Sequence, residues 1–288
     1  MNEQKIYAIV VTYNGLQWID RCLLSIRRSS VPVTPVVIDN ASTDDTVVHI
    51  RSRYPEAVLL PQATNLGFGP ANNIGFDYAL AHEATHVLLL NQDACLQPAT
   101  IACLLACDDG EHLLTPLHLN GTGEHIDSLF YNRTILNSAA DNHLIEDGLL
   151  RGRFAPCYDI RYANAACWLL PVAIIRRIGG FDSRFTHYGE DDNYIQRLQY
   201  HHIGLRLVTG AFILHDRNAH GNEAVYQRGA IYRQLLLIKT NINLSRSQRF
   251  VQRHKLAVQE FGAALLAHRG WRFIGEWLCA KWKLLFVR

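Results

Sequence analysis

The segment Tyr7-Ala-Ile-Val-Val-Thr-Tyr-Asn14 is an apolar run that ends in polar residues. It predicts a buried strand over Ile6–Thr12, and apolar residues at helical spacing follow over Leu16–Arg28. The same order of strand and helix returns three more times before residue 107. Such alternation is typical of right-handed βαβ units, so it predicts an α/β fold with a mostly parallel central sheet flanked by helices.

The remaining predicted elements follow the same reasoning. A capping-box pattern at Ser42 and Asp45 predicts a helix from Asp44. The other predicted strands and helices are Val36–Asp39, Val58–Leu60, Gly69–His82, His86–Leu90, Pro98–Ala106, Asp191–Tyr200 and Ala211–Leu214. From about residue 120 to 158 the pattern is irregular and polar, and after residue 222 it is mostly helical.

Polar residues follow three of the predicted strands at the point where each strand ends. They are Thr12–Asn14, Asp39–Asn40 and Asn91–Asp93. Ligands of parallel sheets bind outside the carboxyl ends of the strands. The sequence therefore predicts a binding site at this edge. For Asp39 the alternative is a turn-forming role, because Asn40, Ser42 and Asp44 lie nearby.

Three consecutive carboxylates open a predicted helix in the stretch Gly189-Glu190-Asp191-Asp192-Asn193. Neighbouring carboxylates repel, so one has a raised pKa or faces a cation or a proton donor. Together with the acid at Asp93, the arrangement suits a general base on one side and a metal-held leaving group on the other. The alternative is that the acids only stabilise the start of the helix.

Composition is that of a globular protein of 288 residues with 49% hydrophobic and 19% charged residues. The seven cysteines form no Cys-x-x-Cys pair, which favours reduced thiols in a cytosolic protein over a disulfide framework or a zinc site. The first residues lead directly into a strand, so no signal peptide is expected. No apolar run approaches the roughly 18 residues of a membrane span.

Charge is divided unevenly along the chain. From Arg217 to the end there are 13 Lys and Arg against 3 Asp and Glu, whereas the remainder has 15 against 23. The segment Trp271–Phe286 carries its charged residues mainly on one narrow helical stripe. Packing on the main domain or dimerisation is the preferred interpretation. An interfacial helix on a membrane is the alternative.

Six motifs in this order and spacing resemble glycosyltransferase family 2, the inverting transferases with the GT-A nucleotide-sugar fold. They are Tyr7–Asn14, Val37–Asp44, Asn65–Gly75, Leu88–Asp93, Gly179–Asp182 and Tyr188–Asp192, followed by His215. The resemblance is closest to bacterial rhamnosyltransferase-like enzymes of surface-polysaccharide assembly and covers residues 5–217. It implies a catalytic domain over residues 1–221 and a helical, basic C-terminal extension over residues 222–288.

The resemblance also implies roles for individual residues. Asp191 is expected to be the catalytic base, with Glu190 beside it to orient the acceptor or brace the site. Asp93 and His215 are expected to hold Mg²⁺ or Mn²⁺, although Asn91 stands where the family's metal motif has its first acid. The residues expected to contact the nucleotide-sugar are Thr12, Tyr13, Asn14, Asp39, Asn65, Gly67, Asn72, Gln92 and Asp93.

The implied function is transfer of a sugar from a nucleotide-diphosphate sugar to a hydroxyl of a glycan or lipid-linked acceptor. The implied location is the cytoplasm, with peripheral contact at the inner membrane face or a homodimer through the C-terminal helices. The alternative is a non-catalytic nucleotide-sugar-binding relative, because of Asn91. A dehydrogenase is excluded because no Gly-x-Gly-x-x-Gly follows the first strand. Only the basic tail favours a nucleic-acid binder, and none is expected.

Overall fold

The computed structural model describes residues 4–186, 188–217 and 229–266, together with residues 275, 278–280 and 282–283. His187 and most of Trp271–Phe286 lie outside this part of the chain, so the prediction made for that segment is not addressed by the structure. Among the helices that these residues form, none has both the length and the apolar character of a membrane span.

The described residues form one sheet of nine strands in the order β3-β2-β1-β4-β8-β6-β9-β5, with β7 paired to β9. The strands are β1 (Ile6–Thr12), β2 (Thr34–Asp39), β3 (Val58–Pro61), β4 (His86–Leu90), β5 (Ala94–Leu96), β6 (Leu113–Asn120), β7 (Cys157–Ile160), β8 (Cys167–Pro171) and β9 (Leu205–His215).

Helices cover the sheet on both faces. They are α1 (Leu16–Arg27), α2 (Thr46–Arg53), α3 (Phe68–Ala81), α4 (Thr100–Ala106), α5 (Ser128–Phe130), α6 (Leu144–Glu146), α7 (Val172–Ile178), α8 (Glu190–Tyr200), α9 (Ala230–Thr240) and α10 (Arg246–Leu266). Helices α5 and α6 continue as the π-helical segments Tyr131–Leu136 and Asp147–Arg151.

The core lies on the two faces of the central strands. Ile9 of β1 packs in the cluster that also holds residues of α3 and α8, whereas Ala8 and Val10 pack on the other face against α1. All three side chains are fully buried. A strand covered on both faces must be apolar at every position, which explains why the run over β1 is continuous rather than alternating.

The α/β fold class with a central sheet flanked by helices is confirmed. The four strands β3, β2, β1 and β4 are parallel, as their alternation with helices predicts. Beyond β4 the described sheet is mixed, since β8 pairs antiparallel with both β4 and β6. The repeated strand–helix pattern that predicts parallel strands ends near residue 107. For the later strands, the local sequence therefore does not predict whether they run parallel or antiparallel to their neighbours.

The predicted capping box is wrong. Helix α2 begins at Thr46, and the preceding Asp45 makes no side-chain capping bond. Ser42 Oγ instead accepts a hydrogen bond from the backbone N–H of Asn14, at 2.9 Å. The Ser42 hydroxyl therefore ties the loop after β2 to the end of β1, at the edge where the binding site is expected.

Helix α9, in the predicted C-terminal extension, packs against α8 and the residues that precede it. Leu235 and Leu236 of α9 are buried against Phe185, which lies just before α8. The Nδ2 of Asn193 in α8 donates to the Thr240 hydroxyl of α9, at 3.1 Å. Helix α9 therefore supports the helix that carries the three consecutive carboxylates. The boundary at residue 221 stays a prediction.

Candidate active site

Gln92 connects the ends of β1 and β4. Its Oε1 accepts hydrogen bonds from the Thr12 hydroxyl at 2.7 Å and from the Tyr13 N–H at 3.0 Å. A Cβ on Gly15 would lie 2.3 Å from the same oxygen, so glycine is required for this approach. The Gln92 carbonyl thus fixes the loop from which Tyr13 projects, with 45% of its surface exposed.

Asp39 at the end of β2 is 2% exposed, and its two carboxylate oxygens differ. Oδ2 accepts the Ser42 N–H at 3.1 Å, which is the turn-forming role. Oδ1 is buried and has no hydrogen-bond partner in the described part of the chain. An unsatisfied buried acceptor costs free energy, so Oδ1 favours a ligand that donates a hydrogen bond. The structure therefore supports both interpretations of Asp39, one for each oxygen.

The turn before α3 is held by asparagine side chains and a close approach of two backbones. Asn65 Oδ1 accepts the Gly67 N–H at 2.9 Å, and Asn40 Oδ1 accepts the Leu66 N–H at 2.8 Å. Gly67 has φ +86°, and a Cβ there would lie 2.0 Å from the Thr186 carbonyl oxygen. The turn therefore lies directly against the loop that leads to α8.

The two consecutive asparagines of α3 have different surroundings. Asn72, predicted to contact the nucleotide-sugar, is 1% exposed, and its Nδ2 donates to the Phe68 carbonyl within the helix, which favours a structural role. Asn73, which carried no prediction, bonds both the N–H and the carbonyl of Phe181, at 2.7 and 2.9 Å. Among the described residues, the only local sequence feature that marks this contact is the pair Gly179–Gly180, which directly precedes Phe181. A Cβ on Gly180 would collide with Asn73.

The three acidic residues at the start of α8 have separate environments. Glu190 is buried, and its Oε2 has no hydrogen-bond partner among the residues described. Burial, and then the adjacent Asp191, raise the pKa of Glu190 to about 8. Burial and Asp191 also raise the pKa of Asp192 to about 7, against the opposing effect of Arg133, whose Nη2 lies 2.6 Å from Asp192 Oδ1.

Asp191 accepts one hydrogen bond on each carboxylate oxygen. The Tyr162 hydroxyl donates to Oδ2 at 2.7 Å, and the Asp192 N–H donates to Oδ1 at 2.9 Å. Tyr162 is 6% exposed, and the Arg133 guanidinium lies 3.9 Å from the centre of its ring. Burial and Asp191 raise the pKa of Tyr162 far above its ordinary value, so the phenol stays a neutral donor. No motif marks Tyr162 or Arg133 in the sequence.

Asp93 and His215 are brought together by the pairing of β5 with β9. The backbone partner of His215 is Ala94, the residue after Asp93. Asp93 Oδ1 and His215 Nε2 are 3.4 Å apart, and both side chains are buried. His215 Nδ1 is buried without a hydrogen-bond partner within the described ranges.

This pair fits a divalent cation that also binds a diphosphate. Mg²⁺ is commonly bound through one or two carboxylates plus substrate phosphates and water, so a full protein cage is not needed. Among the described residues, no group of three or more His, Cys, Asp or Glu side chains is arranged to hold a metal. Asn91, at the position of the missing acid, has a buried Oδ1 that lacks a partner in the part of the chain described.

A groove of about 730 Å³ lies between α8 and the π-helical segment Tyr131–Leu136. Arg133, Tyr162 and Asp192 line one part of it. Its other lining residues are mostly amides and aliphatic side chains, namely Asn132, Leu136, Asn137, Arg161, Ile195, Gln196, Gln199 and Leu237. The polar segment that the sequence marks as irregular therefore forms a wall beside the acidic helix.

Residues 7–109 match the model of glycosyl transferase family 2. Over 212 residues the chain is 26% identical to the N-acetylglucosaminyl-diphospho-decaprenol L-rhamnosyltransferase of Mycobacterium tuberculosis, covering 66% of this chain and 69% of that protein. The chain is a glycosyltransferase, and its resemblance to glycosyltransferase family 2 is supported by both matches. These matches favour the enzyme over a non-catalytic relative.

Solved structures agree on the fold. S. aureus TarS 1–349 in complex with UDP-GlcNAc is similar with a TM-score of 0.64 and 17% identity, covering 96% of this chain and 79% of that chain. The mannosyltransferase PcManGT of Pyrobaculum calidifontis, in complex with GDP-Man and Mn²⁺, has a TM-score of 0.60 and 17% identity, covering 99% and 88%. The fold is therefore that of the GT-A glycosyltransferases.

Proposed function

We propose that the chain transfers a sugar from a nucleotide-diphosphate sugar to an acceptor hydroxyl with inversion, using Asp191 as the base. The observation that carries this proposal is the environment of Asp191. It stands at the start of α8 between Glu190, whose pKa is raised to about 8 by burial, and an Asp192 paired with Arg133, and both of its oxygens are oriented by donors. Of the three acids, we assign the role of base to Asp191, because hydrogen-bond donors orient both of its carboxylate oxygens.

The transfer needs one base and no protein nucleophile. The acceptor oxygen forms a bond to the anomeric carbon while its proton passes to Asp191. The bond from that carbon to the diphosphate breaks, and its electron pair leaves with the nucleoside diphosphate. Attack from the face opposite the leaving group inverts the anomeric configuration.

The nucleotide is proposed to lie at the carboxyl ends of β1, β2 and β4. Asp39 Oδ1 accepts a hydrogen bond from the base or ribose, and Tyr13 lies exposed beside it. Thr12, Asn14 and Gln92 hold the loops that form this pocket. Asn65 and Gly67 shape the turn before α3, whose N-terminus favours the negatively charged diphosphate.

Asp93 and His215 are proposed to hold Mg²⁺ or Mn²⁺ against the diphosphate. A divalent cation at this position would stabilise the negative charge that develops on the leaving group. The single carboxylate makes the diphosphate itself an essential ligand. The nucleotide-sugar and the metal are therefore expected to bind cooperatively, so that each binds weakly in the absence of the other.

The proposed acceptor is a lipid-linked sugar diphosphate in the synthesis of a bacterial surface polysaccharide, and the proposed donor sugar is a hexose or deoxyhexose. The relative from M. tuberculosis is named for such an acceptor and for rhamnosyl transfer. In this chain the acceptor sugar enters along the groove between α8 and Tyr131–Leu136, where amides and apolar side chains are mixed.

Two measurements test this function. UDP-, dTDP- and GDP-sugars are screened for binding by calorimetry with Mn²⁺ and with EDTA, and nucleoside diphosphate release is then followed for each donor that binds. We expect one nucleotide class to bind in a metal-dependent manner and to be turned over, and NMR of the product to show the inverted anomer. Absence of binding to every donor, or a retained anomer, would contradict the proposal.

A further inference from the structure

We propose that Tyr162 and Arg133 are positioning residues for the catalytic base. Arg133 holds the Tyr162 ring, and the Tyr162 hydroxyl aims Asp191 at the acceptor. This inference rests on the proposed role of Asp191. It concerns two side chains from the irregular part of the sequence, which carry no motif.

The hydroxyl of Tyr162 has one described partner, Asp191 Oδ2, at 2.7 Å. Tyr162 is 6% exposed, so water does not replace this bond readily. A donor on Oδ2 and the Asp192 N–H on Oδ1 together restrict rotation of the carboxylate about its terminal bond. The remaining lone pairs of Asp191 therefore keep a fixed direction.

Arg133 reaches this network from the π-helical segment Tyr131–Leu136. Its guanidinium lies over the Tyr162 ring at 3.9 Å and also bonds Asp192 Oδ1 at 2.6 Å. One cation therefore holds the aromatic ring in place and compensates the carboxylate next to the base. A lysine has no planar group to stack and bond in this way.

The charged and titratable groups that face Asp191 are Tyr162, Arg133, Glu190 and Asp192. A hydrogen bond donated to a carboxylate favours its ionised form. Loss of the Tyr162 hydroxyl therefore removes one of the two donors that orient the Asp191 carboxylate.

The test is Tyr162→Phe, which keeps the ring under Arg133 and removes only the hydroxyl. Release of nucleoside diphosphate is measured from pH 4 to pH 9 with the donor that the screen identifies. We expect kcat to fall by on the order of tenfold or more. Donor Kd is expected to stay within about twofold.

Tyr158→Phe is the matched control. Tyr158 is equally buried, and its hydroxyl donates to a carboxylate oxygen of Asp147, at 2.5 Å. The hydroxyl also accepts the Ala155 N–H at 2.8 Å. Its loss removes a tyrosine–aspartate bond that does not involve Asp191, so kcat should stay close to that of the wild type. Arg133→Lys, which keeps the charge, is expected to lower kcat with little change in donor Kd.

Several outcomes decide between the two proposals. An unchanged kcat in Tyr162→Phe overturns the positioning role, as does an equal fall of kcat in Tyr158→Phe. If Asp191→Asn remains active, the proposed base itself is wrong. If Asp191→Asn is inactive but Tyr162→Phe behaves as the wild type, only the positioning role fails.

Discussion

Glu190, Asp191 and Asp192 are adjacent in sequence, but the chain gives each a different partner. Glu190 faces the start of α3, where a Cβ on Gly69 would lie 3.6 Å from the Glu190 Cβ. Asp191 faces Tyr162, and Asp192 faces Arg133. Burial favours the neutral form of Glu190. The Tyr162 hydroxyl orients Asp191, and the Arg133 guanidinium compensates the charge of Asp192. Repulsion among three carboxylates is thereby avoided.

Glu190→Gln tests whether Glu190 is protonated in the folded protein. Burial raises its pKa to about 8, so between about pH 4.5 and pH 8 the folded state keeps a proton that the unfolded chain has lost. The stability of the wild type therefore falls as pH rises through this window. Gln cannot ionise, so the variant should gain thermal stability relative to the wild type as pH increases from 5 to 9.

The measurement is the difference in Tm between Glu190→Gln and the wild type as a function of pH. A constant difference would mean that Glu190 does not titrate in this window. Donor affinity measured in parallel separates a bracing role, which Gln preserves, from a direct role in the reaction.

Turns and strand ends form the site, and their geometry depends on contacts between distant segments. The turn at Gly67 lies against the Thr186 carbonyl, and Asn73 of α3 bonds the backbone at Phe181. Helix α3 therefore positions the chain that leads into α8. Direct contacts thus hold the turn that is proposed to bind the nucleotide against the segment that leads to the three carboxylates.

Gly67→Ala measures the importance of this close approach. The substitution combines a positive φ with a Cβ 2.0 Å from the Thr186 oxygen, which requires the backbone to move. Gly110→Ala is the control, because its φ is also positive, at +77°, but no atom lies within 4 Å of the added Cβ.

We expect Gly110→Ala to lose about 1–2 kcal/mol of unfolding free energy from backbone strain alone. Gly67→Ala should lose about 2 kcal/mol more, and it should also weaken donor binding. Urea unfolding monitored by circular dichroism gives both values. Equal losses in the two variants would mean that the contact with Thr186 does not constrain the site.

Local sequence patterns predict the elements around β1 to α4 well, because the apolar periodicity and the polar strand ends arise within each segment. They predict the acids at the start of α8 for the same reason. They do not predict Tyr162 and Arg133, whose roles depend on contacts 29 and 59 residues away in sequence. The strand β8 is also not predicted, neither its position nor its direction, since the chain before it is irregular and leaves its pairing open.

The division of charge gives the molecule an acidic catalytic part and a basic C-terminal part. Helix α10 exposes Phe250, Val251 and Val258 along its length. The sequence alone favours packing or dimerisation of the C-terminal part. Because two copies of a strongly basic segment repel each other and α10 exposes apolar side chains, we propose an anionic lipid surface as its partner instead. A lipid-linked acceptor would place the enzyme at such a surface.

Full-length protein should therefore co-sediment with phosphatidylglycerol vesicles and less with phosphatidylcholine vesicles. Binding should decrease at 0.5 M salt, where surface charges are screened. A chain ending at residue 266 lacks five of the 13 basic residues counted from Arg217 and should bind more weakly. Equal sedimentation of the two proteins would contradict the membrane contact. A dimer in light scattering without vesicle binding would favour self-association.

The most direct test of the reaction proposed for the whole molecule is Asp191→Asn. Asp108→Asn serves as the control, because Asp108 is a largely buried acid paired with His86 at the opposite end of β4. Both variants are assayed for donor Kd by calorimetry and for kcat by nucleoside diphosphate release. We predict that Asp191→Asn binds the donor as the wild type does but loses about 10²–10⁴-fold in kcat, whereas Asp108→Asn remains active. An Asp191→Asn variant with wild-type kcat would contradict the account.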